Sequence, residues 1–208
     1  MIKAVLFDIE GVLLDSFEAN LKFYQDLMIA SGYQPPTRGE FPEIFYLPMW
    51  DGIKMLTQSQ DENEIKKIWE MGRSKQVPYS FELLKTPVGA EKTITLLAND
   101  YQLGIVTSRV QESVYSVPSL AALRQHFTTV VAYQDTQKHK PDPEPLLLAA
   151  KRLNTNPEES VYIGDVESDM RAAKAAGMKG ILYAKQAVPQ ADACTFSFSK
   201  IPELITSL

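Results

Sequence analysis

Cysteine is nearly absent. Cys194 stands alone among 208 residues, so no internal disulfide can form. Its place near the C-terminus reads as a small buried hydrophobe rather than a reactive thiol. Histidine is almost as scarce, and neither His126 nor His139 stands at metal-ligand spacing from a partner. Positive charge is in deficit: 21 lysines and arginines face 26 aspartates and glutamates, for a net charge of -5. That balance argues against nucleic-acid binding, which needs a basic footprint. No apolar stretch reaches the ~20 residues of a membrane span. Met1-Ile2-Lys3 leads straight into an apolar run, without a secretory signal pattern. Repeats and low-complexity segments are missing too. These absences leave a soluble, cytoplasmic globular protein, expected as a monomer and long enough to bury a core without staples.

What is present is alternation. Residues 2–7 form an apolar strand. Residues 18–31 carry Leu21, Tyr24, Leu27 and Met28 at helical spacing, closed by Gly32. Further helices are expected at 51–58, 62–75, 90–99, 143–153 and 169–176. Strands are expected at 102–107, 130–132, 161–163 and 180–183. Loops fall at 33–38 and 85–89, each marked by proline. Strands alternating with helices predict a parallel sheet covered on both faces. Residues 17–84 show helices but no convincing strand. The expected fold is therefore α/β: a three-layer Rossmann-like core from 1–16 and 85–208, with an α-helical cap inserted at 17–84. Such an insert would overhang the carboxyl edge of the sheet, where a lid excludes water and selects substrates.

Four polar clusters fall at that edge. The first strand stops at a carboxylate, in Phe7-Asp8-Ile9-Glu10-Gly11. An aspartate just past a buried strand can be a nucleophile, a metal ligand, or both. The second cluster is Thr107-Ser108-Arg109, and the third is Lys140-Pro141-Asp142-Pro143. The fourth is Gly164-Asp165-Val166-Glu167-Ser168-Asp169. Each alone has an ordinary reading. Thr107 serves as a helix cap, Lys140 as a solvated lysine, and Asp165 and Asp169 as a cap and a first-turn acid. Arg109 reads either as a substrate contact or as surface charge. Four in sequence order at successive strand ends are hard to assign to turn chemistry.

Together they resemble the haloacid dehalogenase superfamily, in its phosphatase-like branch with a helical cap after the first motif. Residues 8–16 match Asp-x-Asp-Gly-x-x-x-Asp-Ser except at Glu10. Thr107 matches the second motif, Lys140 before Pro141 the third, and Gly164, Asp165 and Asp169 the fourth. The resemblance implies a magnesium-dependent phosphomonoester hydrolase acting on a small phosphorylated metabolite, with Asp8 as nucleophile. It implies Mg2+ held by Asp8, the Glu10 carbonyl and Asp165, with Asp169 as ligand or supporting residue. Thr107 and Ser108 would hold phosphate oxygens, Arg109 the substrate, and Lys140 would offset negative charge. Glu10 would be the acid and base. The alternatives are a sugar-phosphate mutase of the same family and a catalytically impaired phosphate-binding protein.

Glu10 is the departure from the motif. The family has aspartate there, and the extra methylene moves the carboxyl by ~1.5 Å. A misplacement near 1 Å can cost on the order of a hundredfold in rate. In the insert, Phe41, Phe45, Tyr46, Trp50, Trp69, Tyr79 and Phe81 are expected to form a small core of its own. Arg38, Lys54 and Arg73 read as solvated cations or anion contacts. Tyr46-Leu47-Pro48 and Thr86-Pro87-Val88-Gly89 look like phosphoglycolate phosphatase and phosphoglucomutase relatives.

Overall fold

The computed structural model describes residues 1–45 and 47–208. Tyr46, counted above among the aromatics of the insert, lies outside the described residues. The chain divides into two compact units, one of Met1–Asp15 with Lys85–Leu208 and one of Ser16–Leu84.

The first unit is built on six parallel strands: β1 (Ala4–Phe7), β2 (Gln102–Val106), β3 (Phe127–Val131), β4 (Ser160–Gly164), β5 (Lys179–Tyr183) and β6 (Ala193–Thr195). Their order is β3-β2-β1-β4-β5-β6. The first strand is therefore central, which explains its unbroken apolar run: Ala4, Val5, Leu6 and Phe7 are all fully buried. Five α-helices belong to this unit: Ala90–Leu97, Pro118–Ala121, Glu144–Arg152, Glu167–Ala176 and Ile201–Ser207. Leu6, Tyr162 and Leu182 share one cluster with Leu146, Ala149 and Ala150 and with Met170, Ala172 and Ala173. Val5, Phe7, Ile163 and Ile181 have the opposite parity and so point to the other face, and they are buried too.

Register sets the working edge. Phe7 is level with Ile105 on one side and Ile163 on the other. The residues that follow these partners emerge side by side, and the Asp8 amide still donates to the Ile163 carbonyl at 2.9 Å.

The second unit holds three α-helices, Phe17–Ala30, Met49–Thr57 and Glu62–Arg73, and no strand among the described residues. Leu27 and Met28 meet Ile53, Ile65 and Ile68 in one apolar cluster, against which Trp50 and Trp69 pack. Phe41 joins Leu21, Tyr24 and Ile44 in a second, with Phe45 against it. Phe81 departs from the expected core and is exposed. Arg38 pairs with Glu18 and lies over the Phe17 ring. Arg73 lies 4.4 Å from the Trp69 ring centroid, while Lys54 is exposed.

Several elements differ from the sequence-based expectation. The strand expected at 130–132 runs Phe127–Val131 instead, because Phe127, Thr128 and Thr129 suit a pleated strand. Strand β6 and the last helix carry too short an apolar signal to be read in advance. Cys194 is half-buried in β6, and its thiol donates to the Ala184 carbonyl at 3.3 Å.

Gly104 lies where β2 shifts register against β3. A Cβ there would stand 2.7 Å from Leu6 Cδ2 and 2.9 Å from Thr129 Cγ2. Gly104→Ala should lower stability by about 1–3 kcal/mol, measured as a lower urea midpoint at unchanged slope.

Candidate active site

Asp8 leaves β1 in a tight loop. The Ile9 amide donates to its Oδ1 at 2.7 Å. The chain turns back at once, with the Leu14 amide on the Ile9 carbonyl at 2.8 Å. Gly11 makes this turn at φ +70°, a region L side chains avoid, and a Cβ there would overlap Asp165 Oδ2 at 2.0 Å. The glycine of the first motif is thus what leaves room for the aspartate of the fourth. Gly164 acts likewise, since a Cβ on it would stand 2.3 Å from the Asp169 Cβ.

Lys140 joins these segments. Its ammonium donates to Asp8 Oδ2 at 2.8 Å and to the Tyr162 hydroxyl at 2.7 Å. It stands 2.7 Å from Asp169 Oδ1. An ammonium has three N–H donors, so all three are taken. Asp169 Oδ2 accepts the Asp165 and Val166 amides at 3.1 and 3.4 Å, which fixes the start of the helix Glu167–Ala176. Tyr162 closes the network by donating to the Val106 carbonyl at 3.2 Å.

The electrostatics are unbalanced. Burial pushes the Asp8 carboxyl up to about 6; Lys140 draws it down, and Asp169 adds to the rise. Burial, and then the charges of Asp8 and Asp169, push Asp165 up to about 8 despite Lys140. Burial alone would lower the Lys140 ammonium, but Asp8 and Asp169 overcome it and hold the lysine above its ordinary value. Burial and the same carboxylates hold the Tyr162 hydroxyl well above its usual range, so it remains a donor. Asp8, Asp165 and Asp169 bring ligand oxygens within 4.8 Å of one another. Three carboxylates against one ammonium leave an excess of negative charge, and an all-oxygen donor set suits a hard divalent cation.

The second cluster contributes differently. Thr107 follows β2 and is buried, and its Oγ1 accepts the Arg109 amide at 3.1 Å. Ser108 is exposed. Glu10 pairs with Arg109: its Oε1 lies 2.5 Å from both Arg109 Nε and Nη2. The histidines lie elsewhere, with His126 Nε2 3.4 Å from Thr95 Oγ1 and His139 stacked on Tyr133.

The family model for haloacid dehalogenase-like hydrolases matches residues 5–183, a span that holds all four clusters. The chain belongs to this family. Pyrophosphatase PpaX of Bacillus velezensis is 32% identical over 180 residues, covering 86% of this chain and 81% of that protein. A phosphorylated carbohydrates phosphatase of Thermotoga maritima is 30% identical, covering 86% and 83%. A subfamily IA hydrolase of the same superfamily from Geobacter sulfurreducens superposes with a TM-score of 0.80 at 26% identity, covering 98% of this chain and 96% of that one.

Within this haloacid dehalogenase-like site, Tyr162 is the residue that sequence reasoning missed. Its signal was a hydroxyl between Val161 and Ile163 in a strand otherwise apolar, two positions before Gly164-Asp165. Tyr162→Phe removes one of the three acceptors of a buried ammonium and the donor to Val106. Stability should fall by about 1–3 kcal/mol, read from denaturant unfolding with the m-value unchanged.

Proposed function

We propose that the protein is a magnesium-dependent phosphomonoester hydrolase acting on small phosphorylated metabolites through an aspartyl-phosphate on Asp8. One observation supports this above others: Lys140 bonds Asp8 from one side while Asp165 and Asp169 crowd the same point. Three sequence-distant segments thereby converge at the Asp8 carboxylate. Membership of the hydrolase family and the phosphatase names of its relatives point the same way.

Each residue has a part in this reading. Asp8 is a weak nucleophile and must be held in line with phosphorus. Ile9 N–H holds its Oδ1 and Lys140 holds its Oδ2, so the carboxylate cannot swing. Lys140 also offsets charge as a dianionic phosphate approaches. Thr107 and the Ser108 amide receive phosphate oxygens. Asp8 and Asp165 would hold Mg2+, with the Glu10 carbonyl, and Asp169 orients both Lys140 and the turn that carries Asp165. The cation would neutralise phosphate charge that the carboxylates otherwise repel. Glu10 protonates the leaving oxygen as the P–O bond breaks, then takes a proton from the water that opens the aspartyl-phosphate. The helical unit, Ser16–Leu84, is assigned the role of cap and of substrate selection.

Asp8→Asn should reduce phosphate release to the uncatalysed background across a panel of sugar phosphates, phosphoglycolate and pyrophosphate with Mg2+. Turnover retained in this variant would remove the mechanism. Isomer formation on a bisphosphate-primed sugar without phosphate release would assign the mutase activity instead.

The raised carboxyls also set a pH dependence. Asp8 and Asp165 ionise near 4 when unfolded, but at about 6 and about 8 in the fold. The metal-free folded state therefore binds more protons across that window, and its stability falls as pH rises from about 4 to 8. Cation binding requires the ionised forms. Metal-free protein should melt lower at pH 8 than at pH 6, and Mg2+ should raise Tm more at pH 8.

A further inference from the structure

Lys140 must hold its place while a partner changes charge. In the resting site its N–H groups go to Asp8 Oδ2 at 2.8 Å, to Asp169 Oδ1 at 2.7 Å and to the Tyr162 hydroxyl at 2.7 Å. Two of these acceptors are carboxylates, and the third is a neutral phenol. Tyr162 is fully buried in β4, between β1 and β5, so the sheet rather than a loop sets its position. Its own proton goes to the Val106 carbonyl at 3.2 Å, with Asp169 Oδ1 farther off at 3.5 Å. The phenol oxygen is left to accept from the ammonium.

Charge explains the choice of acceptor. A lysine that offsets phosphate charge must keep part of its own. A further carboxylate in place of the phenol would satisfy the last N–H but neutralise the cation. An apolar residue would leave the charge and orphan the N–H, which is costly at a buried ammonium. A phenol satisfies without neutralising. The need is greatest once Asp8 has attacked phosphorus. Its carboxylate is then an acyl group, with the negative charge on the phosphoryl oxygens, and the Asp8–Lys140 pair weakens. Asp169 and Tyr162 are unchanged by that step and keep the ammonium beside Asp8.

We propose that Tyr162 is a positioning residue that acts on the reaction through Lys140, holding the ammonium at Asp8 while the aspartyl-phosphate forms. This rests on the hydrolase reading above. In that step the Asp8–phosphorus bond forms, the phosphorus–oxygen bond of the ester breaks, and its electron pair leaves on the ester oxygen. Lys140 and Tyr162 exchange no proton; one stays an ammonium and the other a phenol. The phosphate-binding turn has support of its own, from the Thr107 amide on the Val131 carbonyl at 3.0 Å and the Arg109 amide on Thr107 Oγ1. Loss of the Tyr162 hydroxyl therefore falls on Lys140 and not on phosphate binding.

Tyr162→Phe tests this, because the ring, 5.3 Å from the ammonium, is kept and only the hydroxyl is lost. The substrate is p-nitrophenyl phosphate with Mg2+, whose leaving group departs as a phenolate without needing a proton. Here kcat/KM covers every step up to that departure. It should fall about ten- to a hundredfold, while the inhibition constant of inorganic phosphate stays within about twofold. In protein isotope-labelled at the lysine side-chain nitrogen, the buried Lys140 ammonium should give a resolved proton–nitrogen NMR signal, assigned by its loss in Lys140→Met. Tyr162→Phe should weaken that signal through faster hydrogen exchange. Gly104→Ala, destabilised by overpacking away from the ammonium, should keep the signal and lose less than about threefold in kcat/KM. The proposal is overturned if Tyr162→Phe turns over like wild type or keeps the Lys140 signal unchanged. It is overturned as well if the phosphate inhibition constant rises in step with the lost kcat/KM, or if Gly104→Ala loses as much. Asp8→Asn, inactive if the hydrolase reading holds, separates failure of that reading from failure of this one, and the ammonium signal is read without turnover.

Discussion

The site depends on one buried ammonium. Lys140 has its three donors filled by Asp8, Asp169 and Tyr162, with its side chain only 9% exposed. Burying such a group costs several kcal/mol unless its geometry is fully satisfied. Here it is satisfied by residues from the loop after β1, from β4 and from the helix after β4. The same bonds that make the charge tolerable bring the nucleophile to its supports. Stability and arrangement of the site are therefore one problem, and a loss at any of the three acceptors is felt at Asp8.

The sheet makes that meeting possible. Because β1 is central and level with β2 and β4, three loops open at one height. Two glycines then remove the last obstacles, one for the Asp165 carboxylate and one for Asp169. The glycines of the motifs matter as absences of a Cβ as much as for their backbone freedom. The excess of negative charge that results is what an oxygen-ligated cation would balance.

The fold was readable where burial imposed a period. Strand β1, the two long helices of the second unit and the Gly164-Asp165 strand end were legible because their apolar spacing leaves few alternatives. Strand β6 and the helix Ile201–Ser207 were not, since three half-buried residues and one turn-rich tail carry no comparable pattern. Residues of the site were legible as four motifs. What joins them was not. Tyr162 looks like any strand aromatic until its hydroxyl is seen against Lys140. No local rule pairs Glu10 with a residue in another loop.

Glu10 shows why a motif read alone can mislead. Viewed within residues 8–16, the added methylene is a misplacement of the acid. Viewed with Arg109, the same methylene is the length that lets the carboxylate reach a guanidinium that also donates to the Ser113 carbonyl, on a residue whose backbone amide rests on Thr107. A shorter side chain would draw the carboxylate away from Arg109, whose side chain is only 12% exposed, at the cost that a poorly paired, largely buried charge carries. Charge, length and anchoring thus favour glutamate and arginine together, and the departure at one position is matched by a residue 99 positions away. In this chain the unit of chemical meaning is the ion pair rather than the motif letter.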